Sequence, residues 1–250
     1  MNVFCVHTTI LQPNQAKYQG GMYCAVKQMM VAPNDPERMR AIHKEVAILR
    51  GVRSPHVVQF LGACQLHDRF LLVTELMEGG SLWTALQRNR VTWSRRGPAV
   101  ALDVALGLHY LHSRNTLHLD LKSANVLLDR HGRAKIADVG VAQIRADTYV
   151  QNVDAGTYAW AAPEVLMGER VGPAADIFSF GVLLFELVTG EEPVRGCLRP
   201  VRVPEDCSQE IADLIRGCMG AVAAERPQLE TVINVLRGGS LGGTRVPWMP

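Results

Sequence analysis

Apolar and polar positions in the first part of the chain follow the patterns of a small sheet with one helix. Three runs are rich in β-branched and bulky apolar residues and predict strands: MYCAVKQM at 22–29, HVVQFLGAC at 56–64 and FLLVTEL at 70–76. Between the first two runs, Ile42, Val46 and Leu49 recur at i, i+4 and i+7. This spacing places them on one face and predicts an amphipathic helix over roughly 36–50.

The remainder of the chain has helical periodicity. Apolar stripes predict helices around 100–111 and at 173–189, 208–219 and 227–237, and the second of these is apolar on nearly every side, as in a central buried helix. The period changes at residues 75–80. We therefore predict an α+β fold in which a strand-rich lobe and a larger, mostly helical lobe are joined by a hinge, with a cleft between them.

Composition and charge narrow the class of protein. The chain has 250 residues, of which 48% are hydrophobic and 20% charged, and its net charge is +2. This composition is typical of a packed globular protein, and the charge is too small to indicate a nucleic-acid or membrane-surface partner. The longest strongly apolar stretch, at 177–188, is too short to span a bilayer. No signal-peptide pattern opens the chain, so we expect a soluble, cytoplasmic protein. Nothing in the pattern indicates an oligomeric state.

The six cysteines do not indicate a zinc site. None forms a CxxC pair, and no group of His and Cys has zinc-ligand spacing. Cys24 and Cys64 lie within apolar runs, so we expect buried thiols in a reducing compartment.

A polar cluster interrupts an apolar run at residues 118–128, HLDLKSANVLL. Asp120, Lys122 and Asn125 stand immediately before Val126, Leu127 and Leu128, which read as a buried strand. One interpretation is a surface turn, since Asp, Ser and Asn favour turns. The other is a site at which each polar group handles part of a phosphate. These residues by themselves leave both interpretations open.

Several separated motifs decide between the two interpretations. They are CAVK at 24–27, HLDLKSAN at 118–125, DVG at 138–140, GTYAWAAPE at 156–164 and DIFSFGVLLFELVTG at 176–190. In this order and at these spacings the chain resembles the eukaryotic protein kinase domain, in particular the tyrosine-kinase-like group of plants and green algae.

The resemblance covers residues from about 16 to 236 and implies a domain plan. It places the smaller lobe at about 16–75, the hinge at 75–80 and the larger lobe at 81–237, with a non-matching segment at 1–15 and a flexible tail at 238–250. It also implies the function of a serine/threonine kinase, which transfers the γ-phosphate of ATP, with Mg²⁺, to a hydroxyl of a protein substrate. Lys122 after Leu121, together with Thr157, follows the serine/threonine pattern.

The resemblance assigns catalytic and metal-binding roles residue by residue. Lys27 on a strand would contact the α- and β-phosphates while Glu45 on the next helix holds it in an ion pair. Asp120 would orient the acceptor hydroxyl, and Lys122 would neutralise charge on the transferring phosphoryl group. The two metal ligands would be Asn125 and Asp138.

Other positions would bind the adenine or support the architecture. The adenine site would comprise Ala25, Thr74, Glu75, Met77 and Leu127, with the backbone of Glu75 and Met77 as hydrogen-bonding groups. Asp176 would hold the backbone of the catalytic loop, and Glu164 would pair with Arg226. An apolar column between the lobes would comprise His118, Val139, Leu49 and Phe60.

The chain departs from the family pattern near its beginning. Counting back from Lys27 reaches CVHTTILQPNQ, which contains no glycine where a Gly-rich phosphate loop is expected. We expect the first strand to be missing and ATP binding to be weakened, because of a truncated or alternatively spliced product or because of a real loss of the loop. This keeps a second interpretation open, a pseudokinase or scaffold that binds nucleotide with little activity. In addition, Leu119 replaces the arginine that would grip a phosphorylated activation loop, and Val139 replaces a phenylalanine.

Overall fold

The computed structural model describes residues 9–12, 15–17, 23–30, 36–66, 69–139, 143–144, 158–193 and 207–238. The chain divides into two compact units, Met1–Glu78 and Gly79–Pro250. The candidate phosphorylation sites of the activation loop are Thr148, Tyr149 and Thr157. These sites, Pro13 in the glycine-free segment and the tail after residue 238 lie outside the described residues. No helix in the described ranges is both long and apolar enough to cross a membrane.

The first unit contains a five-stranded antiparallel sheet and one helix. The strands are β1 (Thr9–Gln12), β2 (Gln15–Lys17), β3 (Tyr23–Met30), β4 (Phe60–Leu66) and β5 (Arg69–Glu75), in the spatial order β1-β2-β3-β5-β4. The helix α1 (Pro36–Gly51) contacts β4 and buries Ile42 and Leu49, as the apolar stripe predicted. These elements confirm the predicted small antiparallel lobe with one helix.

The prediction of a missing first strand is wrong. Strand β1 pairs with β2, with Thr9 opposite Lys17 and Ile10 opposite Ala16. The register then shifts before Gln12 pairs with Gln15. Four residues are too few for an alternating pattern to be recognised in sequence, and the strand is defined by its hydrogen bonds to β2.

The second predicted strand begins four residues later than expected. Residues 56–59 precede β4, and the backbone turns there: Val57 N–H donates to Ser54 O at 3.4 Å, and His56 N–H donates to the Ser54 hydroxyl at 3.2 Å. Val57 and Val58 are nevertheless buried. Apolar residues between a turn and a strand can thus be buried without belonging to the strand, which extends a strand-like run in the sequence.

The second unit is mostly helical. Its helices are α2 (Leu82–Gln87), α3 (Gly97–Ser113), α4 (Pro163–Leu166), α5 (Pro173–Thr189), α6 (Gln209–Cys218) and α7 (Leu229–Leu236). Short strands accompany them: β6 (Gly80–Ser81), β7 (Thr116–Leu117), β8 (Val126–Leu128), β9 (Ala134–Ile136) and β10 (Gln143–Ile144). The four helices predicted here are confirmed within a few residues at each end. Helix α2 was not predicted; Ser81 caps it by accepting a hydrogen bond from Thr84 N–H at 3.2 Å.

Helix α5 is the centre of this unit, packing against α3 and α6. It begins with Pro173 in the first turn and is capped after Thr189 by Gly190, whose φ of +72° is the left-handed conformation that favours glycine at a helix end. Most of its side chains are buried, including Phe180, Leu183 and Leu184. Three polar side chains of α5 are buried with them, namely Asp176, Ser179 and Glu186.

Candidate active site

The polar loop at residues 118–125 is held by a buried carboxylate on α5. Asp176 is fully buried and accepts three hydrogen bonds: from His118 N–H at 2.9 Å, from Leu119 N–H at 2.8 Å and from the ring of His112 at 2.7 Å. Burial alone would raise the pKa of Asp176. The hydrogen bond and charge of His112, together with the charge and backbone N–H of His118, lower this pKa. The predicted role of Asp176 as a holder of this loop is confirmed.

The strained backbone of the loop explains why it needs this support. Leu119 has φ of +61° and Asp138 has φ of +57°, a conformation that residues with a side chain rarely adopt. The two amide bonds to Asp176 fix the peptide units on either side of His118, and so stabilise the left-handed Leu119. Backbone strain of this kind occurs mostly where a site needs a particular geometry.

His118 links this loop to the residues before Asp138. Its Nε2 lies 3.0 Å from the carbonyl oxygen of Ala137, which can only accept, so Nε2 carries the proton. Its Nδ1 then accepts a hydrogen bond from Asp120 N–H at 3.2 Å. This ring, which is buried completely, thereby connects the backbone of both polar segments.

The structure brings Asp120, Lys122 and Asn125 together. Lys122 Nζ lies 3.0 Å from Asp120 Oδ1, and Asn125 Nδ2 donates to Asp120 Oδ2 at 2.7 Å and to Asp120 O at 2.8 Å. Each carboxylate oxygen of Asp120 therefore has its own donor, which fixes its orientation. The side chains of Asp120 and Lys122 are 16% and 20% exposed, so the cluster is accessible from one side.

The same arrangement orients the side-chain amide of Asn125, which is predicted with Asp138 to bind a cation. Both amide hydrogens of Asn125 point to Asp120, which leaves the amide oxygen as the atom that can coordinate. Asn125 O also accepts a hydrogen bond from Ala137 N–H at 2.8 Å, so the residue before Asp138 is tied to Asn125. Within the described residues, no group of three His, Cys, Asp or Glu side chains could hold a metal. A cation here would thus need further oxygen ligands, such as those of a nucleotide, which is the usual arrangement for Mg²⁺.

In the first unit, three of the predicted nucleotide-binding residues share one face of the sheet. Ala25 and Lys27 are two residues apart on β3, and Ala25 is paired with Thr74 on β5. The opposite face is packed into a core cluster of Cys24, Val26, Cys64, Leu71 and Val73. The cluster confirms that both thiols are buried, and it leaves the other face to carry Ala25 and Lys27.

The end of β5 is fixed by hydrogen bonds to the chain before β4. Glu75 N–H donates to Gln59 O at 3.0 Å, and Gln59 N–H donates to Glu75 Oε1 at 2.7 Å. Met77 is buried two residues later. Glu45 lies within α1, and Leu127 within β8. The assigned roles of all these residues, and the apolar column of Leu49, Phe60, His118 and Val139, stay predictions.

The predicted pair between Glu164 and Arg226 is confirmed. Arg226 Nη1 and Nη2 donate to the two carboxylate oxygens of Glu164 at 2.6 and 2.8 Å, and both residues are buried. Arg226 also donates to Gly220 O and Ala174 O, each at 2.8 Å. Its guanidinium lies 5.0 Å from the ring centre of Phe178. This one side chain joins α4, α5 and the segment before α7.

Sequence reasoning missed a second buried carboxylate, Glu186. It accepts hydrogen bonds from Ser123 Oγ at 2.8 Å and from Trp160 Nε1 at 2.7 Å. A single acidic residue within the apolar run IFSFGVLLFELV is a signal that could have identified it, because a buried carboxylate needs partners.

Comparison with known families agrees with this geometry. The model of the protein kinase domain matches residues 14–235. The chain therefore belongs to the protein kinase family. The match begins two residues before the start that the sequence motifs indicated, within the N-terminal segment.

Three relatives are serine/threonine-protein kinases of Arabidopsis thaliana. STY17 is 36% identical over 234 residues, which are 86% of this chain and 41% of the relative. STY46 is 35% identical over 238 residues, covering 87% of this chain and 41% of the relative. CTR1 is 35% identical over 236 residues, covering 87% of this chain and 29% of the relative. The chain thus spans less than half the length of these curated relatives.

Proposed function

We propose that this chain is a protein kinase that transfers the γ-phosphate of ATP, with Mg²⁺, to serine or threonine hydroxyls of a protein substrate. The observation that carries the proposal is the fixed carboxylate of Asp120, held at both oxygens by Lys122 and Asn125. Family membership and the names of the relatives support the same activity.

The chemistry of phosphoryl transfer suits this arrangement because it depends on positioning and on neutralising charge. Asp120 would accept the hydrogen bond of the acceptor hydroxyl and aim its oxygen at the γ-phosphorus. Lys122, already beside Asp120, would stabilise the negative charge on the transferring phosphoryl group. Neither role requires a large change in the loop, since Lys122 Nζ already lies 3.0 Å from Asp120 Oδ1.

Asn125 and Asp138 would hold Mg²⁺ together with phosphate oxygens of the nucleotide. Bound there, Mg²⁺ would supply positive charge that neutralises the triphosphate. In the first unit, Lys27, paired with Glu45, would contact the α- and β-phosphates. The adenine would bind near Ala25, Thr74 and Leu127, with backbone hydrogen bonds from Glu75 and Met77.

The partner would be a protein with exposed serine or threonine, and the site of action the cytoplasm. The serine/threonine preference rests on Lys122 and on the names of the relatives. We propose no nucleic-acid partner, because the net charge is only +2.

The proposal is tested by incubating the purified full chain with γ-labelled ATP and a library of serine-, threonine- and tyrosine-containing peptides. We expect label on serine and threonine peptides, and its loss when EDTA removes the divalent cation. Calorimetry with Mg-ATP is run beside it. Binding of Mg-ATP without transfer to any peptide would contradict the proposed activity and favour the scaffold interpretation.

Leu119 leads to a prediction about regulation. In place of an arginine that could bind a phosphate, Leu119 packs into an apolar cluster with Trp160, Ala161 and Val165, which follow the activation loop. An apolar contact does not depend on phosphorylation, so we expect phosphatase treatment to change the rate by less than about threefold. A tenfold or greater loss, traced to Thr148, Tyr149 or Thr157, would contradict this prediction.

A further inference from the structure

Glu186 connects two segments that are far apart in the chain. It lies near the C-terminal end of α5 with only 2% of its surface exposed. Its Oε1 accepts from the hydroxyl of Ser123, and its Oε2 accepts from the indole Nε1–H of Trp160. The two donors are 63 and 26 residues away from it in sequence. One buried carboxylate therefore uses a separate oxygen for each segment.

One of these segments belongs to the candidate active site, and the other packs beside it. Ser123 directly follows Lys122 and begins the short 3₁₀ turn that ends at Asn125. Trp160 packs in the same apolar cluster as Leu119, and its carbonyl accepts a second tie to α5, from Ser179 Oγ at 2.8 Å. A displacement of the Glu186 carboxylate would thus move Lys122 and Asn125 relative to the segment that follows the activation loop.

We propose that Glu186 is a positioning residue for phosphoryl transfer, which aligns the catalytic loop with the segment around Trp160 through its two hydrogen bonds. The proposal rests on the kinase activity proposed above. Glu186 does not contact the reacting atoms; it acts through Ser123 on the preceding residue Lys122 and on Asn125 in the same 3₁₀ turn. Its loss should therefore lower kcat much more than it raises KM for ATP.

The surroundings of Glu186 make this link dependent on pH. Burial raises the pKa of Glu186 to about 7, against the lowering effect of its hydrogen bonds from Trp160 and Ser123, and the charge of Glu192 raises it further. Several of the described charged groups on the elements around α5 pair with one another, whereas Asp103 accepts a hydrogen bond from Ala134 N–H and Glu210 is exposed. Cys218 stays neutral because burial raises its pKa to about 12. Those pairs are Asp120 with Lys122, His112 with Asp176 and Asp213 with Arg216.

Activity and stability should change in opposite directions as Glu186 ionises. Above pH 7 both carboxylate oxygens accept charge-assisted hydrogen bonds, so the loop is held more firmly and kcat should rise. Below pH 7 the carboxyl group of Glu186 is protonated. It still accepts the hydrogen bond from Trp160, but its bond with Ser123 reverses, because the carboxyl group now donates its proton to Ser123 Oγ. The folded state binds this proton more tightly than the unfolded chain, in which the carboxyl group of Glu186 has its ordinary pKa near 4.5. The contribution of Glu186 to stability is therefore greatest below pH 4.5 and is lost as pH rises through about 7.

The first experiment follows the link itself and does not require activity. In the ¹⁵N-labelled full chain, the indole N–H signal of Trp160, assigned with Trp160→Phe, should shift with a midpoint near pH 7. In Glu186→Gln the same signal should not titrate. The melting temperature of the parent should fall by roughly 5 °C between pH 5 and 8, and this fall should be absent in Glu186→Gln. An indole signal that keeps the same chemical shift in Glu186→Gln as in the parent at every pH would overturn the proposal.

The second experiment separates positioning from folding. Glu186→Ala removes both bonds and should lower kcat about a hundredfold, with KM for ATP changed less than about threefold. Glu186→Gln imitates the protonated acid, so its kcat should stay at the low-pH level of the parent across the pH range. Leu184→Ala is the matched control: it creates a cavity in the same buried helix without touching a polar bond, and it should lower the melting temperature with little change in kcat.

Ser123→Ala provides a milder variant if Glu186→Ala does not fold. It removes only the bond to the catalytic loop and should lower kcat about tenfold. Combined with Glu186→Gln, the two effects should not add, because they break the same link. Variants at Glu186 and Ser123 that match Leu184→Ala in kcat would overturn the positioning role. A parent that transfers no phosphate would instead overturn the proposed function, and the indole titration would still decide whether Glu186 joins the two segments.

Discussion

Asp120→Asn should lower the rate of phosphoryl transfer by about a thousandfold while leaving the affinity for Mg-ATP within about threefold of the parent. The carboxylate of Asp120 has a donor at each oxygen, Lys122 Nζ at 3.0 Å and Asn125 Nδ2 at 2.7 Å. An asparagine offers one acceptor and must place its NH₂ group against one of these donors. The acceptor hydroxyl then loses its negatively charged partner, and the loop loses one of its two contacts. Labelled phosphate transfer and calorimetry with Mg-ATP measure the two quantities separately.

The control for this variant is Asp213→Asn on α6. Asp213 forms a surface pair with Arg216, so its substitution makes the same chemical change at a distance from the polar loop. We expect the activity of Asp213→Asn to equal that of the parent, because surface pairs contribute little to stability. If Asp120→Asn phosphorylated peptides at the parent rate, the role assigned to Asp120 would be wrong.

Arg226→Met should destabilise the folded chain by about 3–5 kcal/mol. The substitution leaves the carboxylate of Glu164 buried without its two guanidinium bonds, and it also leaves the carbonyls of Gly220 and Ala174 without a donor. Arg226→Lys should recover only part of the loss, since an ammonium group cannot reproduce the planar fork that binds both oxygens. Urea unfolding of the full chain, followed by far-ultraviolet circular dichroism, measures the change in free energy.

Arg133→Met is the matched control for the loss at Arg226. Arg133 pairs with Asp129 at 2.8 Å, but the Arg133 side chain is 68% exposed, so solvent replaces the lost interaction. Its substitution should lower the free energy of unfolding by at most about 1 kcal/mol. Equal effects for Arg133→Met and Arg226→Met would show that burial of the Glu164–Arg226 pair contributes nothing.

The predictions that the structure confirmed rest on patterns within short stretches of sequence. Helix α5 is apolar on almost every side, and α1 carries one apolar stripe, so their periodicity indicated both helices. The order of the motifs, from CAVK to APE, indicated the family, and with it the contacts of Asp176 and Arg226. The strands were harder to predict. Residues 56–59 read as the start of a strand but lie between a turn and β4, and β1 has only four residues. Both misjudgements arose because a strand is defined by its partner, which the sequence of one stretch does not specify.

The sequence by itself determined the period of each helix, the family and the identity of the polar residues in the catalytic loop. Only the tertiary structure decided which buried groups become partners. Glu186 is one acidic residue in an apolar helix when considered alone, and Ser123 and Trp160 have no pattern that relates them to it. The fold places these three residues within hydrogen-bond distance because a carboxylate removed from water must find donors. Those donors are the ones that packing brings to it, and packing depends on the whole chain.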